Sequence, residues 1–277
     1  MAGFPRTDVG GVSLPRMICG SNWMLGYSHQ TQAKDRLIKD LFDTPEKLAD
    51  VMEVFARAGC NAYMSGPYEM VSQALREVEQ RVGVEMYWLC TPSYPEWNQP
   101  ETWPQAVQFA KSLGAQFCFP HQNVTDPLLD RPNRRLSPQL LDHLRLVREE
   151  GMIPGLSSHA PEAITCSDAC DADVATYIQP YNSAGFLCQI EPDWLARIIA
   201  GAKKPVATIK PLAAGKLHPL AGLTYVWNTI RDCDMVTIGT MSTYEAEEVI
   251  EISLACLERR RAEVDLQFTR SKKALVE

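Results

Sequence analysis

Thr44-Pro45-Glu46-Lys47-Leu48-Ala49-Asp50-Val51-Met52-Glu53-Val54-Phe55-Ala56-Arg57-Ala58-Gly59-Cys60-Asn61-Ala62-Tyr63-Met64 holds one complete unit of the fold. Thr44 is a good helix N-cap, and Glu46 and Glu53 favour a helix. Leu48, Val51, Val54 and Phe55 share one face, so the spacing predicts a helix over 45–58 that Gly59 stops. Asn61 to Met64 follows as a short buried strand. Outward from this unit the rhythm repeats. Strands are expected at 17–20, 84–90, 116–120, 153–156, 173–178, 205–209 and 235–238. Helices are expected at 71–82, 102–113, from Ser137-Pro138 to about 150, 193–200, 220–230 and from Ser242 to about 262. Pro138 takes the first helical position, where its missing N–H leaves no bond unmade.

The strands are short, almost continuously apolar and separated by helices, which is the pattern of a parallel sheet covered on both faces. About eight strand–helix units favour a closed (β/α)8 TIM barrel over an open doubly wound sheet. No G-x-G-x-x-G follows the first strand, which weakens a dinucleotide-binding Rossmann reading. One domain over residues 1–277 is expected, with 259–277 a helix end and a tail. Segments 24–43, a long loop or short helix, and 121–136, a long loop, are candidates for functional loops. The tail from Thr269 to Glu277 is expected either to cover the barrel mouth or to fray.

Composition narrows the class. Of 277 residues, 45% are hydrophobic and 22% charged, enough for a large core. A net charge of −7 excludes the basic face that nucleic-acid binding needs. The basic run Arg259-Arg260-Arg261 reads as a solvated helix face. No apolar run is long enough to span a membrane, and the N-terminus carries no apolar leader. Nine scattered cysteines, several in apolar runs (Cys19, Cys60, Cys90, Cys118, Cys188), fit a reducing cytoplasm. Cys166 and Cys170, four apart, lack the second pair a zinc site would need.

Barrel chemistry sits at the C-terminal ends of the strands. There the sequence places Asn22 and Trp23, Tyr68, His121, His159, Asn182, Lys210, Thr240 and Ser242. Histidine is the usual general acid or base, and the chain has five. His121 and His159 end neighbouring strands, and His29 lies on a loop able to fold over the mouth. His143, on a helix, is expected to face solvent, and His218 to be structural or exposed. Lys210 could hold a polar or anionic substrate, act as a Schiff-base nucleophile, or pair with a rim carboxylate.

Several segments, in order, resemble the aldo-keto reductase superfamily. They are Gly11-Val-Ser-Leu-Pro-Arg-Met-Ile-Cys-Gly20 entering strand one, Ala58-Gly-Cys-Asn-Ala-Tyr-Met64, Ala115-Gln-Phe-Cys-Phe-Pro-His121, and Glu149-Glu-Gly-Met-Ile-Pro-Gly-Leu-Ser-Ser-His159. Gln179-Pro-Tyr-Asn182, Lys210-Pro-Leu-Ala-Ala-Gly-Lys-Leu217 and Ile238-Gly-Thr-Met-Ser242 with Glu245 and Glu248 complete the series. The resemblance runs from residue 11 to about 258 and implies the same barrel. It implies a nicotinamide site in which Ser158 and Gln179 hold the carboxamide, with Pro211, Leu212, Gly215, Thr240 and Ser242 along the nucleotide.

The departures are chemical. The family's Asp-Tyr-Lys-His tetrad is cleanly matched only at His121. Its Asp position falls on Met64, its Lys position on Thr91 or Pro92, and Tyr68 stands only near the Tyr position. A tyrosine without the Lys and Asp keeps a pKa near 10 and loses support as a proton donor. Ile209 stands where an aromatic ring should stack, and no cation follows strand eight for a 2′-phosphate.

Three readings follow. The first is acid/base lyase or isomerase chemistry on a small polar carbonyl or sugar-like substrate. His121 and His159 would move protons, Tyr68 would assist, and Lys210, Asn22, Trp23, His29 and Asn182 would hold the substrate. A divalent metal on His121, His159 and a carboxylate such as Asp126 or Glu191 is a variant of it. The second is an NAD(P)-dependent oxidoreductase with a remodelled proton donor. The third is a non-catalytic binding or regulatory barrel. All three leave the oligomeric state open.

Overall fold

The structure is a computed structural model and describes residues 3–96 and 99–264. The tail considered above therefore lies outside the described residues.

A hairpin of β1 (Arg6–Val9) and β2 (Val12–Pro15) leads into β3 (Met17–Gly20). After α1 (Asn22–Leu25) and α2 (Gln32–Leu41), α3 (Pro45–Arg57) enters β4 (Ala62–Ser65). Then come α4 (Glu69–Val82), β5 (Tyr87–Cys90), α5 (Trp103–Ser112) and β6 (Phe117–Cys118). The next segment carries α6 (Gln122–Thr125), a small hairpin of β7 (Leu129–Asp130) and β8 (Arg135–Leu136), and α7 (Pro138–Glu149). The chain continues through β9 (Ile153–Pro154), β10 (Leu156–Ser157), α8 (Glu162–Ala169), β11 (Tyr177–Pro180) and α9 (Pro192–Gly201). It ends in β12 (Val206–Ile209), α10 (Pro219–Thr229), β13 (Met235–Ile238) and α11 (Thr243–Glu258).

The barrel sheet is parallel throughout, in the order β10-β11-β12-β13-β3-β4-β5-β6-β9. β9 and β10 are two pieces of one strand broken at Gly155. Ile153 N donates to Gln116 O on one side, and Leu156 N to Thr176 O on the other, so this strand closes an eight-position ring. The chain thus has the (β/α)8 TIM-barrel fold. Gly155 has a packing reason to lack a side chain: a Cβ there would stand 2.5 Å from Phe119 Cε1 and 2.8 Å from Thr176 O. Overpacking of this kind costs about 1–3 kcal/mol. Gly155→Ala is expected to lower the urea midpoint with an unchanged slope; an unaltered midpoint would show that Phe119 yields freely.

The barrel interior is filled by inward-facing residues such as Ile18, Met64, Leu89, Phe117 and Ile178. Val9 and Leu14 of the first hairpin join this cluster, so the hairpin plugs the N-terminal end of the barrel. A second, outer core lies between strands and helices. In α3, Leu48, Val51 and Phe55 are buried, and the chain leaves the helix through Gly59 at φ +88°, as its stop signal requires. Ser137 and Ser242 cap α7 and α11 by accepting from Leu140 N and Glu245 N. Among the described residues no helix is long and apolar enough to cross a membrane.

For residues 24–43 the structure takes the helical alternative: α2 holds ten of them, opened by Thr31 accepting from Lys34 N. Three readings need correction. Segment 121–136 is built from α6, a 3-10 turn and the β7–β8 hairpin. Arg259–Arg261 follow the end of α11, where Arg259 takes a left-handed φ of +54°, rather than lining a helix face. His143 does not face solvent. It is 8% exposed, stacks on Trp103 with ring centroids 5.0 Å apart, and shares a 2.9 Å hydrogen bond between its Nε2 and Tyr94 Oη. Burial pulls its pKa down to about 4. His143 lies on the stripe of Leu140, Leu144 and Val147, which face the core.

Candidate active site

A cavity of about 830 Å³ opens at the C-terminal ends of the strands. Its size and position suit a small-molecule site in a barrel. His121, His159, Lys210, His29, Asn22, Trp23 and Tyr68 all line it, as do Pro211, Leu212, Gly215 and Thr240. Asn182, Ser158, Gln179 and Ser242 do not.

Three imidazoles and the Lys210 amine form one interacting cluster, and Lys34, Glu245 and Glu248 also line the cavity. His121 opens α6. Asn123, two residues on, presents its Oδ1 2.9 Å from His121 Nδ1 and donates from Nδ2 to Ser93 Oγ at 2.7 Å. With Oδ1 as acceptor, the proton sits on Nδ1, and Nε2 is left with a lone pair. Burial lowers the His121 pKa; the Asn123 contact pushes the other way, and the Lys210 charge adds to the lowering. His159 follows β10, and its pKa falls to about 4, from burial first and then from Lys210, His121 and His29. Both imidazoles are therefore neutral at pH 7.

Lys210 stands directly after β12 with φ +62°. Its Nζ lies 2.9 Å from His29 Nε2, and Asn22 Nδ2 reaches the same nitrogen at 3.1 Å. Both partners are donors, so His29 Nε2 accepts. Among the described residues Lys210 has no carboxylate partner, which sets aside the rim ion pair. Burial brings its pKa down to about 8. The His29 pKa is lowered as well, by burial and then by Lys210.

Tyr68 stands at the mouth, its hydroxyl 2.9 Å from that of Tyr27. Its pKa is raised, by burial first and then by that hydrogen bond, so the pair bridges two loops rather than forming an activated acid. Trp23 lies between the two last strand ends: a Cβ on Gly215 would stand 3.6 Å from its Cζ2, and one on Gly239 3.4 Å from its Cδ1. Gln30, which the sequence did not single out, donates to Ala214 O at 2.8 Å and ties the turn after Lys210 to the loop before α2. Thr237 and Thr240 contribute buried hydroxyls that line the cavity and, among the described residues, have no hydrogen-bond partner.

Other expected roles shift. Asn182 is fully buried and holds the loop after β11 by pairing with Phe186 N and O at 2.8 and 3.0 Å. Phe186 in turn meets the His29 ring edge-on, so Asn182 acts through the loop rather than on a substrate. Ser242 is the cap of α11.

Neither implied cofactor fits the residues as placed. The Ser158 hydroxyl donates to Asp126 and accepts from Ala160 N, and Gln179 is buried with its Nε2 on His159 O. The pair that should hold a nicotinamide carboxamide is thus turned into the protein, and Trp23 bridges the turns along which the nucleotide would run. For a metal, no three His, Cys, Asp or Glu side chains converge suitably among the described residues. The Asp126 carboxylate is engaged with Ser158 and the His159 N–H, and Glu191 precedes α9 outside the cavity.

Ser93 and Asn123 were missed by sequence reading. A signal existed for Asn123, since a short polar side chain two residues after a strand-end histidine can hold its ring. Ser93 lies thirty residues away and carried none.

No family model matches the chain, and no curated protein sequence matches it. Solved structures do. A Pseudomonas aeruginosa protein described as a candidate aldo-keto reductase superposes with a TM-score of 0.63 at 16% identity, over 91% of this chain and 95% of its own. A glycerol dehydrogenase from Gluconobacter oxydans gives 0.57 at 13% identity over 97% and 100%. An aldose reductase from Giardia lamblia gives 0.54 at 12% identity over 99% and 91%. The chain therefore has the barrel fold of the aldo-keto reductases, while its site residues must be read on their own terms.

Proposed function

We propose that this barrel is an enzyme that moves protons on a small polar carbonyl or sugar-like substrate, in the lyase or isomerase class. One observation carries the reading. Neutral His121 and His159 face one cavity with Lys210 and His29, and among the described residues no carboxylate lies in hydrogen-bond contact with Lys210. His121 Nε2 acts as the base that takes a proton from the carbon beside the carbonyl. Lys210 and Asn22 address the carbonyl end, and the unpaired Thr237 and Thr240 hydroxyls accept or donate to substrate hydroxyls.

The test is proton exchange in D2O, followed by NMR with glyceraldehyde and dihydroxyacetone as probes. Exchange at the carbon next to the carbonyl is expected above the buffer rate. A base must be unprotonated, so activity falls on the acid side as His121 gains a proton. Because its pKa is lowered, that fall comes below the ordinary imidazole value of about 6.5. Exchange no faster than buffer with either probe would remove the proposal.

The fold favours a second reading, a barrel oxidoreductase. Tight binding of NADPH or NADH in a fluorescence titration would support it and count against proton-transfer chemistry alone.

A further inference from the structure

We infer that the Lys210 amine forms a covalent imine with the carbonyl carbon of the substrate, a small aldehyde or ketone that carries hydroxyl groups. The inference rests on the proton-transfer reading above and names the way the substrate is activated.

Geometry carries it. Lys210 ends a barrel strand, and its side chain lines the cavity. Its polar partner is a histidine nitrogen rather than an anion. Imidazoles approach from three elements: His29 from the segment before α2, His121 from the start of α6, and His159 after β10. The carboxylates around them are engaged elsewhere or not bonded to the amine: Asp126 is held by Ser158 and the His159 N–H, Asp35 by Ser28, and Glu245 and Glu248 line the cavity without a hydrogen bond to Lys210. An ammonium in this setting is poorly compensated, and burial brings its pKa down to about 8, so a useful share is neutral amine at pH 7. A neutral amine can give one N–H to His29 Nε2 and keep its lone pair free. The backbone agrees, because Lys210 sits at φ +62°, a left-handed conformation that is strained for a non-glycine residue. The surrounding turn sustains that conformation, and Ala213, Ala214 and Gly215 share a positive φ.

The step balances. The Nζ lone pair attacks the carbonyl carbon, the C=O π pair moves to oxygen, and Nζ passes a proton to His29 Nε2. That imidazolium returns the proton to the alkoxide, giving the neutral carbinolamine. A second proton, taken from solvent through His29 Nε2, then protonates the hydroxyl, and the nitrogen lone pair forms the C=N bond as water leaves, which gives the protonated imine. The protonated imine then draws electrons from the neighbouring C–H bond, whose proton His121 Nε2 receives. A proton, delivered from His121 after exchange with solvent, returns to the enamine carbon and restores the protonated imine. Addition of water then releases the neutral amine, the product carbonyl and the solvent-derived proton, with no oxidant or reductant.

Reductive trapping tests this. The full chain is incubated at pH 7 with glyceraldehyde and sodium cyanoborohydride, and the adduct is located by peptide mass mapping. The neutral fraction of an amine near pKa 8 exceeds that of an ordinary lysine by roughly two- to three-hundredfold at pH 7. Lys210 is therefore expected to label at least about tenfold faster than surface lysines after allowing for its lower basicity. Lys210→Arg, which keeps the charge, and Lys210→Gly, which accepts the positive φ, both lose that fast label. Equal labelling of all lysines in the native chain overturns the inference. So does proton exchange that persists undiminished in Lys210→Arg; that result makes Lys210 an anion or hydroxyl ligand and leaves the acid/base reading standing. Fast labelling of Lys210 without any exchange keeps the imine and removes the proton-transfer reading instead.

Discussion

Asp234→Ala is expected to destabilise the barrel by about 3 kcal/mol, toward the low end of the range for breaking a buried ion pair from one side. Asp234 is fully buried at the start of β13. Its carboxylate accepts from Arg231 Nη2 at 2.7 Å, Arg231 Nε at 2.9 Å, Arg231 N at 2.8 Å and Val206 N at 2.8 Å. Its carbonyl accepts from Arg16 Nε at 2.9 Å. One residue thus joins the entries to β3, β12 and β13 at the end of the barrel opposite the cavity. Alanine would leave the Val206 N–H without a partner and the Arg231 charge without its anion. Arg231 keeps carbonyl partners at Ala202 and Lys204 and is partly exposed, which holds the loss near the lower bound. For a chain of this size the melting temperature should drop by roughly 6–12 °C. Arg231→Ala combined with Asp234→Ala should cost less than the sum of the two. A melting curve unchanged within a degree would mean that the network contributes no net stability. Proton exchange at 20 °C should survive in either case, because the pair lies at the far end of the strands.

The parts of this molecule that were legible in its sequence are those written in local periodicity. α3 announces itself by one apolar face and a terminal glycine, and β13 by three apolar residues, Met235, Val236 and Ile238, around a single threonine. α2 was harder because it buries only Ile38, so no stripe marks it. α8 was missed because its buried residues, Ala163, Ile164, Cys166 and Ser167, are small and mixed in polarity. The β1–β2 hairpin is short, and half of each strand faces outward. His121, His159, Lys210 and His29 could be placed at one cavity because strand ends in a barrel converge by topology. Side-chain direction could not be read in the same way. Ser158 and Gln179 sit at the right strand ends, yet Asp126 and the His159 carbonyl, which carry no local signal toward them, turn both inward. Asn182 likewise looked like a rim ligand, and the loop returning at Phe186 claimed its amide.

His121→Gln is expected to reduce proton exchange by about 10²–10⁴-fold, the usual contribution of a positioned general base. Glutamine approximates the ring's size and can hydrogen-bond, but it cannot take a proton at neutral pH. The size of the loss therefore separates a base from a mere substrate contact, since a contact would raise the half-saturating probe concentration and leave the maximal rate. Asn123→Ala sharpens the argument. Asn123 holds the Nδ1 proton and favours the charged imidazole, so its removal should lower the His121 pKa further. The acid limb of the rate profile should then move to lower pH while the plateau falls, because the ring is no longer held in one orientation. A structural role alone would lower the plateau without moving the limb. An acid limb that stays in place in Asn123→Ala, together with exchange that survives in His121→Gln, would take proton abstraction away from His121.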